Sequence, residues 1–514
     1  MMLHDLFRTS ACVHPDKVAV VGHSGRLTYR QLQAEALRLA RELDRLGAAP
    51  GDRIGVLMAN SAEAAVSVWA VLEAGCIAVP LHAAARPEAL QPVLTDAEPH
   101  WVVAGGELAA ANAAVLGANP GIRALIAWGA PDAPAGRPGS RVEAWRLCCK
   151  DIEEWAAPAP RSPDTGDLAA LIYTSGTTGE PKGAMLSHDN MVAALRAVNA
   201  YLHVESSDVI YSALPLSSSY GIYQLLLGLA VGATTVLDRS FAFPARSLAL
   251  IAQERATVLA GVPTMYAWMA TTPVLAQFDL ASLRILTSAA AALPVEHTRL
   301  LRERLPRARI YVMYGQTECK RITYLDPEDL DRKPGSVGRG MPYQEHAVVD
   351  ASGVPVPPGG TGELVVRGPH VMQGYWRNPQ ATAHKLRPIA GSHATWLHTD
   401  DLFRIDEDGY LYFVGRRDDI LKVGGHKVSP REIEEVLCQM PDVREAAVVG
   451  MRDDLWGQAA KAHVVLRDGA NCGADDVIRF CKARLRPYMV PKAVVFEREL
   501  PKTESGKVKK RELK

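Results

Sequence analysis

The sequence has no excess of charge of either sign and no cysteine pattern that suits a metal site. Lys and Arg together number 57, as do Asp and Glu, so no general attraction to nucleic acids or acidic membranes is expected. The eight cysteines form no C-x-x-C pair and no His/Cys cluster with metal-ligand spacing, which is typical of reduced thiols. We therefore predict no nucleic-acid partner and no disulfide framework.

The sequence also lacks a secretory signal and a long uninterrupted hydrophobic run. Residues 1–7 have neither the charged region nor the apolar core of a signal peptide. The longest apolar stretches, residues 64–81 and 225–237, are broken by Glu73 or are too short to cross a bilayer. We expect no stable membrane insertion, a cytoplasmic location, and both stretches in the core of a large domain.

Helix and strand patterns alternate along the chain. Thr28 and Gln31 have the spacing of a capping box and precede an apolar face with a 3.6-residue period. Strand-like residues 53–58 and 76–81 follow. This alternation predicts an α/β fold, with a large N-terminal domain of several subdomains built from layered sheets and helices.

A second, smaller domain is predicted at the C-terminus, because 514 residues exceed the size of one hydrophobic core. We place the boundary between residues 1–417 and 418–514. Ser429 is predicted to cap a helix that begins at Pro430, with Glu432 closing the box. The pattern that follows predicts a mobile α+β unit, with helices at 430–439 and 475–485 and strands at 446–450, 462–466 and 493–497.

Residues 173–183 are the most informative segment of the chain. They contain three glycines, four aliphatic hydroxyls and Lys182, directly after the strand-like run 168–173. Glycine brings backbone N–H groups close to a ligand, and these groups with hydroxyls form a cradle for phosphate oxygens. The predicted phosphate-binding residues are Thr174, Ser175, Gly176, Thr177, Thr178, Gly179 and Lys182. An ordinary Gly/Ser/Thr surface loop is the alternative.

The segment is not a Walker P-loop, since Pro181, Lys182 and Gly183 stand where Gly-Lys-Ser/Thr would be required. It resembles instead the signature loop of the adenylate-forming superfamily. That superfamily includes acyl- and aryl-CoA ligases, carrier-protein-loading ligases, luciferases and peptide-synthetase adenylation domains. The resemblance implies ATP and Mg²⁺ as cofactors, with the β- and γ-phosphates of ATP held in this loop.

Residues 314–318 resemble the second signature of the same superfamily. The resemblance implies that Tyr314 stacks on adenine, Thr317 donates to the α-phosphate and Glu318 holds Mg²⁺, a cation that prefers oxygen ligands. The family usually has Gln or Asn where Val312 stands. We therefore expect the adenine edge to be contacted by backbone near Ala290 instead.

Residues 398–402 resemble the family's ribose-binding motif. The resemblance implies that Asp401 accepts both ribose hydroxyls, while Asp400 replaces the usual glycine. Arg416 is implied as a second contact to ribose or phosphate. An Asp-rich turn and a solvated ion-pair face are the alternatives for these residues.

Residues 501–507 resemble the loop that carries the family's adenylation lysine, here Lys507. By the same resemblance, Asp418 is the hinge about which the small domain rotates between the two half-reactions. The rotation withdraws Lys507 and brings Gly424 and Gly425 to the channel of the acceptor thiol, where glycine leaves room for a slim pantetheine arm.

The carboxylic acid is expected to be an aryl or a short-to-medium acyl acid. Ser219 stands where amino-acid-activating relatives carry an Asp, and a serine cannot neutralise an ammonium in an apolar pocket. A methyl group at Ala289 narrows the pocket, although core packing alone also explains it. The predicted substrate-binding residues are Ser218, Ser219, Tyr220, Ala289 and Gly315.

The acceptor thiol is expected in trans, because the chain ends seven residues after Lys507 without a carrier domain. Coenzyme A and a pantetheinylated carrier protein both fit the basic residues of the small domain. Two rival classes are an oxidative relative of the luciferase type and a non-catalytic binding protein. The presence of Lys507, Glu318 and Asp401 argues against the second.

Overall fold

The computed structural model describes residues 1–129, 141–145, 164–175, 180–453, 455–467, 469–502 and 508–513. The predicted phosphate ligands Gly176, Thr177, Thr178 and Gly179, and the predicted catalytic Lys507, lie outside these residues.

Fourteen α-helices occur in the described part of the chain. They are α1 Leu3–Val13, α2 Tyr29–Arg45, α3 Ala62–Glu73, α4 Pro87–Ala97, α5 Gly106–Ala111, α6 Ala113–Ala118, α7 His188–Leu202, α8 Ser219–Val231, α9 Pro244–Gln253, α10 Pro263–Thr271, α11 Val295–Arg304, α12 Pro379–Lys385, α13 Pro430–Cys438 and α14 Ala474–Lys482. No helix among the described residues is long and apolar enough to cross a membrane.

The strands of the first two thirds of the chain are β1 Val18–Gly22, β2 Gly25–Thr28, β3 Arg53–Leu57, β4 Ile77–Leu81, β5 Trp101–Gly105, β6 Ala124–Trp128, β7 Arg141–Trp145, β8 Leu168–Ser175, β9 Pro181–Ser187, β10 Val209–Ser212, β11 Thr234–Leu237, β12 Val258–Gly261, β13 Ile285–Ser288, β14 Arg309–Tyr314, β15 Thr323–Leu325 and β16 Arg339–Gly340. The remaining strands are β17 Glu345–Val349, β18 Thr361–Arg367, β19 Gly374–Tyr375, β20 Leu386–Arg387, β21 Trp396–Ile405, β22 Leu411–Arg416, β23 Leu421–Val423, β24 His426–Val428, β25 Val443–Asp453, β26 Gly457–Leu466 and β27 Ala493–Phe496.

Two large sheets form the body of the protein. One has nine strands in the order β16-β15-β14-β13-β12-β10-β11-β1-β2, and the other has eight in the order β19-β9-β8-β4-β3-β5-β6-β7. Helix α3 packs against β1 and β2 of the first sheet and β3 and β4 of the second. Its buried, mostly apolar length confirms that residues 64–81 belong to the core rather than to a membrane.

The start of α2 shows how local sequence sets an element. The Thr28 hydroxyl accepts from the Gln31 N–H at 3.2 Å, and the Gln31 side chain accepts from the Thr28 N–H at 2.9 Å. This reciprocal pair confirms the predicted capping box. The buried side of the helix, including Leu32, Leu39 and Leu43, follows the predicted period.

Two smaller sheets complete the fold. Strands β17, β18, β21, β20 and β22 form one, and β24, β23, β26, β25 and β27 form the other, at the C-terminal end of the chain. The C-terminal sheet and helices α13 and α14 enclose a core of their own, which includes Val423, Ile433 and Val464. The α/β class, with a large N-terminal and a small C-terminal domain, is confirmed.

One predicted cap is wrong. Ser429 precedes α13, but its hydroxyl makes no cap bond to the helix, and no capping box with Glu432 forms. The hydroxyl donates instead to the Val414 carbonyl of β22. The side-chain orientation that reaches this strand carbonyl is one in which the hydroxyl accepts no bond from the helix N-terminus.

Candidate functional site

The predicted phosphate loop joins two antiparallel strands. Strands β8 and β9 pair in antiparallel fashion, with Tyr173 opposite Gly183 and Thr174 opposite Lys182. A Cβ on Gly183 would lie 2.9 Å from the Tyr173 ring, which explains the glycine at that position. The strand before the loop is confirmed, and the second strand, β9, was not predicted.

Strand β19 connects this hairpin to the second signature. Tyr375 pairs with Ala184 of β9, and its ring centroid lies 5.7 Å from the Lys182 ammonium. The buried Tyr375 hydroxyl donates to Glu318 Oε1 at 2.6 Å. Burial and the neighbouring Glu318 carboxylate raise the pKa of Tyr375, so the phenol stays protonated as a donor. Tyr375 therefore holds Glu318 beside the candidate phosphate site.

Glu318 fits a magnesium ion that arrives with a triphosphate. Its side chain is buried, and the bond from Tyr375 to Oε1 leaves Oε2 for a cation. The described residues contain no group of three or more His, Cys, Asp or Glu side chains that would form an all-protein metal cage. Magnesium is commonly held by one or two carboxylates together with substrate phosphates, which matches a single Glu.

Tyr314, Gln316 and Asp401 form the nucleotide end of the site. The Tyr314 hydroxyl donates to Asp401 Oδ2 at 2.6 Å, and Gln316 Nε2 donates to the same oxygen at 3.0 Å. The Tyr314 ring packs edge-on against Phe403 at 4.8 Å between centroids. The other carboxylate oxygen, Asp401 Oδ1, lies 3.8 Å from Arg416 Nε. This oxygen remains available to accept from the two hydroxyls of a ribose.

The Asp401 carboxylate is buried, and burial raises its pKa, while Arg416, Tyr314 and Gln316 act in the opposite direction. Asp400, beside it, has φ of +60°, a left-handed conformation that glycine adopts without strain. This conformation explains why a glycine is usual at that position in the resembled motif. Lys385 Nζ bonds to Asp400 Oδ2 at 2.7 Å and so ties this strained residue to α12.

Glu363 supports this motif and was missed from the sequence. It is 2% exposed, and its carboxylate accepts from the Asp400 N–H at 2.9 Å and from Arg417 Nη2 at 3.1 Å. His398 Nδ1 lies 3.1 Å from the same side chain. Burial alone would raise the pKa of Glu363, but these donors and positive charges lower it to about 2. No local motif marks Glu363, because its partners are distant in the sequence.

We expect Glu363→Gln to lower the thermal midpoint at pH 7, since hydrogen bonds to a buried charge contribute about 1.5–3 kcal/mol. The pKa is depressed in the folded state, so the wild-type advantage is full above the ordinary value of 4.5 and shrinks as pH falls towards about 2. Calorimetry at pH 7 and pH 3.5 measures the difference. Glu345→Gln, at an exposed pair with Arg367, is the control and should change little. A constant difference at both pH values would contradict the assignment.

Three predicted acid-pocket residues lie at the start of α8. The Ser218 hydroxyl caps the helix by accepting from the Gly221 N–H at 3.0 Å, and it donates to the Pro215 carbonyl at 2.8 Å. Ser219 Oγ lies 3.3 Å from Thr317 Oγ1, which joins the pocket to the second signature. The Tyr220 hydroxyl bonds to Thr287 at 2.8 Å, so only its ring is available to a ligand.

The other two pocket residues follow β13 and β14. Ala289 is buried, and Ala290 beside it has φ of +78°, which turns its backbone away from the strand direction. A Cβ on Gly315 would collide with the Lys320 carbonyl and with Arg321 Cα, so glycine is required there. Val312 lies opposite Ser288 on the neighbouring strand.

Lys320 and Arg321 were not predicted as functional residues, yet both side chains are buried beside this pocket. They are 6% and 3% exposed. Lys320 Nζ donates to the Ser219 carbonyl at 3.2 Å and lies 4.4 Å from the Tyr223 ring centroid. Both cations line a small enclosed cavity with Tyr223, Gln224 and Met313. Their sequence context gives no signal, since a Lys-Arg pair normally lies at the surface.

The C-terminal candidates lie apart from these residues in the chain. Gly424 and Gly425 form the turn between β23 and β24, with φ of +55° and +84°, conformations that favour glycine. A bridge pairs Lys502 with Val508, on either side of the segment that contains Lys507. Asp418 lies in a 3₁₀ turn, Arg417–Asp419. The roles of Lys507, Gly424, Gly425 and Asp418 stay predictions.

The segment at the end of β14 and just after it contacts three other elements: Tyr314 bonds to Asp401 of β21, Thr317 adjoins Ser219 of α8, and Glu318 accepts from Tyr375 of β19. This convergence is the arrangement expected of a nucleotide site beside an acid pocket. The individual roles assigned to these side chains stay predictions.

Comparison with known proteins agrees with the geometry. The profile of a family described as AMP-binding enzyme matches residues 7–376, and that of the AMP-binding enzyme C-terminal domain matches residues 432–507. The chain is 36% identical to the indoleacetate–CoA ligase of Aromatoleum aromaticum, over 99% of this chain and 97% of the relative.

Two solved structures are similar along the whole chain. ATP-bound MatB from Rhodopseudomonas palustris is 32% identical with a TM-score of 0.85, covering 100% of this chain and 98% of that one. The anthranilate CoA ligase AuaEII in complex with anthranoyl-AMP is 29% identical with a TM-score of 0.88, covering 100% and 96%. The chain therefore belongs to the AMP-binding enzyme family, the adenylate-forming superfamily that its motifs resemble, and is an acid–thiol ligase that uses ATP.

Proposed function

We propose that this protein joins an aryl or short-to-medium acyl acid to coenzyme A through an acyl-AMP intermediate. Two contacts made by one signature segment support this most directly. Tyr314 bonds to Asp401, the proposed ribose carboxylate, and Thr317 adjoins Ser219 of the proposed acid pocket.

In the first half-reaction a carboxylate oxygen of the acid attacks the α-phosphorus of ATP. A new P–O bond forms, the bond between the α-phosphorus and the bridging oxygen breaks, and pyrophosphate leaves with its charge. Thr174 and Lys182 are proposed to hold the β- and γ-phosphates, Thr317 the α-phosphate, and Lys507 the oxygens on which negative charge develops. Magnesium, when bound at Glu318, neutralises phosphate charge.

In the second half-reaction the thiolate of coenzyme A attacks the acyl carbon, the thioester forms and AMP leaves. We propose that residues 418–514 rotate about Asp418 between the two steps, with the boundary after residue 417. The rotation exchanges Lys507 for the turn at Gly424 and Gly425. The separate core around Val423 and Ile433 supports movement of this domain as a unit.

Ala289 favours an aryl or short-to-medium acyl acid, because its buried methyl group narrows the proposed pocket. Ser219 offers no carboxylate to an ammonium, which disfavours an α-amino acid. These two residues support an aryl ring or a short-to-medium acyl chain as the class of acid.

A carrier protein is the second candidate acceptor. Arg479, Lys482 and Arg484 are exposed on and just after α14. Positive side chains of this kind suit the phosphates of coenzyme A and an acidic carrier helix equally.

Acid-dependent pyrophosphate release tests the function. Benzoates, anthranilate and short and medium fatty acids are supplied with ATP and Mg²⁺, first alone and then with coenzyme A or a pantetheinylated carrier protein. We expect release with one acid class and thioester formation with coenzyme A. Thioester formation on the carrier protein alone would overturn the acceptor, and no release with any acid would overturn the proposal.

A further inference from the structure

Two buried basic side chains, Lys320 and Arg321, lie at the inner side of the proposed acid pocket, and no carboxylate of the described residues forms an ion pair with them. Burying a cation is unfavourable unless a carboxylate or other anion accompanies it. The same loop thus brings two like charges into an apolar cavity, an arrangement that needs an explanation beyond folding.

The aromatic side chains around them offset only part of this cost. Lys320 Nζ lies 5.2 Å from the Tyr220 ring centroid and 4.4 Å from that of Tyr223, and Arg321 Cζ lies 5.0 Å from the Tyr220 ring. Ring faces attract cations but carry no net charge. Arg321 Nε is also buried without a hydrogen-bond acceptor among the described residues. A donor of this kind is normally satisfied by protein, water or ligand.

Ser219 connects Lys320 to the proposed binding site of the acid. Lys320 bonds to the Ser219 carbonyl, and the Ser219 hydroxyl adjoins Thr317, the proposed α-phosphate donor. Ser219 thus lies between Lys320 and the proposed α-phosphate donor, and both basic side chains lie on the Tyr220 side of it. A group that reaches them belongs to the far end of the acid rather than to its reacting carboxyl.

The backbone holds the pair in place. Lys320 has φ of +62°, a conformation that non-glycine residues rarely adopt, and its carbonyl packs where a side chain at position 315 would be. Strained residues of this kind persist where the surrounding contacts fix them and are frequent at ligand sites.

We propose that Lys320 and Arg321 form an anion subsite at the inner end of the acid pocket, and that the acid activated by this enzyme carries a second carboxylate there. This inference rests on the proposed function and narrows its substrate class to short dicarboxylic and carboxy-aryl acids. Arg321 presents a planar fork that suits a carboxylate, and Lys320 adds a compact second donor.

The test compares each diacid with its own monomethyl ester, which differs only in the far-end charge. Succinate, glutarate, adipate and benzene-1,3-dicarboxylate are assayed by acid-dependent ATP–pyrophosphate exchange. We expect at least one diacid to exceed its monoester by 10-fold or more in kcat/KM. Arg321→Met and Lys320→Met should reduce that ratio 10-fold or more and leave exchange with the monoester measurable.

Arg302→Met is the matched control, because Arg302 is an exposed arginine paired with Asp331 and should leave the ratio unchanged. The ratio is measured within one variant, so a general loss of folded protein does not alter it. If Arg321→Met does not fold, Lys320→Met provides the same comparison of activities. In the wild-type protein, each diacid should also raise the thermal midpoint more than its monomethyl ester does.

The outcomes separate the two proposals. Exchange with no acid at all would overturn the proposed function. Exchange with monoesters or simple monoacids that equals or exceeds exchange with every diacid would overturn the anion subsite while the proposed function stands.

Discussion

Lys507→Ala should lower the rate of adenylation by roughly two to four orders of magnitude, because a lost donor at developing charge costs about 3–5 kcal/mol of transition-state stabilisation. The ammonium is proposed to bridge the attacking carboxylate and the α-phosphate, where negative charge is redistributed as pyrophosphate leaves. Thioester formation from supplied acyl-AMP should change far less, since we propose that Lys507 is withdrawn in that step. Single-turnover pyrophosphate release and acyl-AMP consumption measure the two steps separately.

Lys509→Ala is the control for this experiment. Lys509 pairs with Glu512 at the surface, and the loss of an exposed ion pair should alter neither step. A folded Lys507→Ala variant that loses both half-reactions equally would contradict the alternation of domains. Unchanged adenylation would contradict the role of the lysine.

The elements that the sequence predicts well are those whose signal is local. The capping box at Thr28 and the strand before residue 176 depend on neighbours within a few positions, and both are confirmed. The predicted strand 53–58 is observed as Arg53–Leu57, and the predicted helix 475–485 as Ala474–Lys482. Differences of this size are normal at element ends, where the last turn frays.

The supports of the site depend on partners that are distant in sequence. Tyr375 reaches Glu318 across 57 positions, and Glu363 reaches Asp400 across 37. No periodicity or motif encodes such a contact, because it exists only once the sheets are assembled. Ser429 shows the converse, since a correct local cap signal lost to a tertiary partner at Val414.

The same reasoning explains why the buried cations were missed. Composition and spacing predict a Lys-Arg dipeptide at the surface, whereas Lys320 and Arg321 follow a signature segment that turns back into the core. The requirement for glycine at position 315 reflects that turn. A local conflict between residue type and environment of this kind is expected at a functional site.

Glu318→Gln is expected to have the second largest effect, a loss of about 3 kcal/mol or more in adenylation, equivalent to at least about 100-fold. Glutamine keeps the shape of the side chain, and its carbonyl oxygen still accepts from Tyr375. The substitution removes the charge that is proposed to hold the metal, so the Mg²⁺ concentration needed for half-maximal activity should rise as kcat falls. Pyrophosphate release over a Mg²⁺ titration at fixed ATP measures both quantities.

Tyr375→Phe separates the charge of Glu318 from its position. It removes the donor that lies 2.6 Å from Oε1 but leaves the carboxylate, so only a hydrogen bond to a charged group is lost, about 1.5–3 kcal/mol. We expect a smaller fall in adenylation and little change in the Mg²⁺ requirement, because the ligand charge is retained. If instead both variants lost the same activity with an unchanged Mg²⁺ requirement, Glu318 would act by anchoring the β19 strand rather than by binding the metal, and the magnesium assignment would fail.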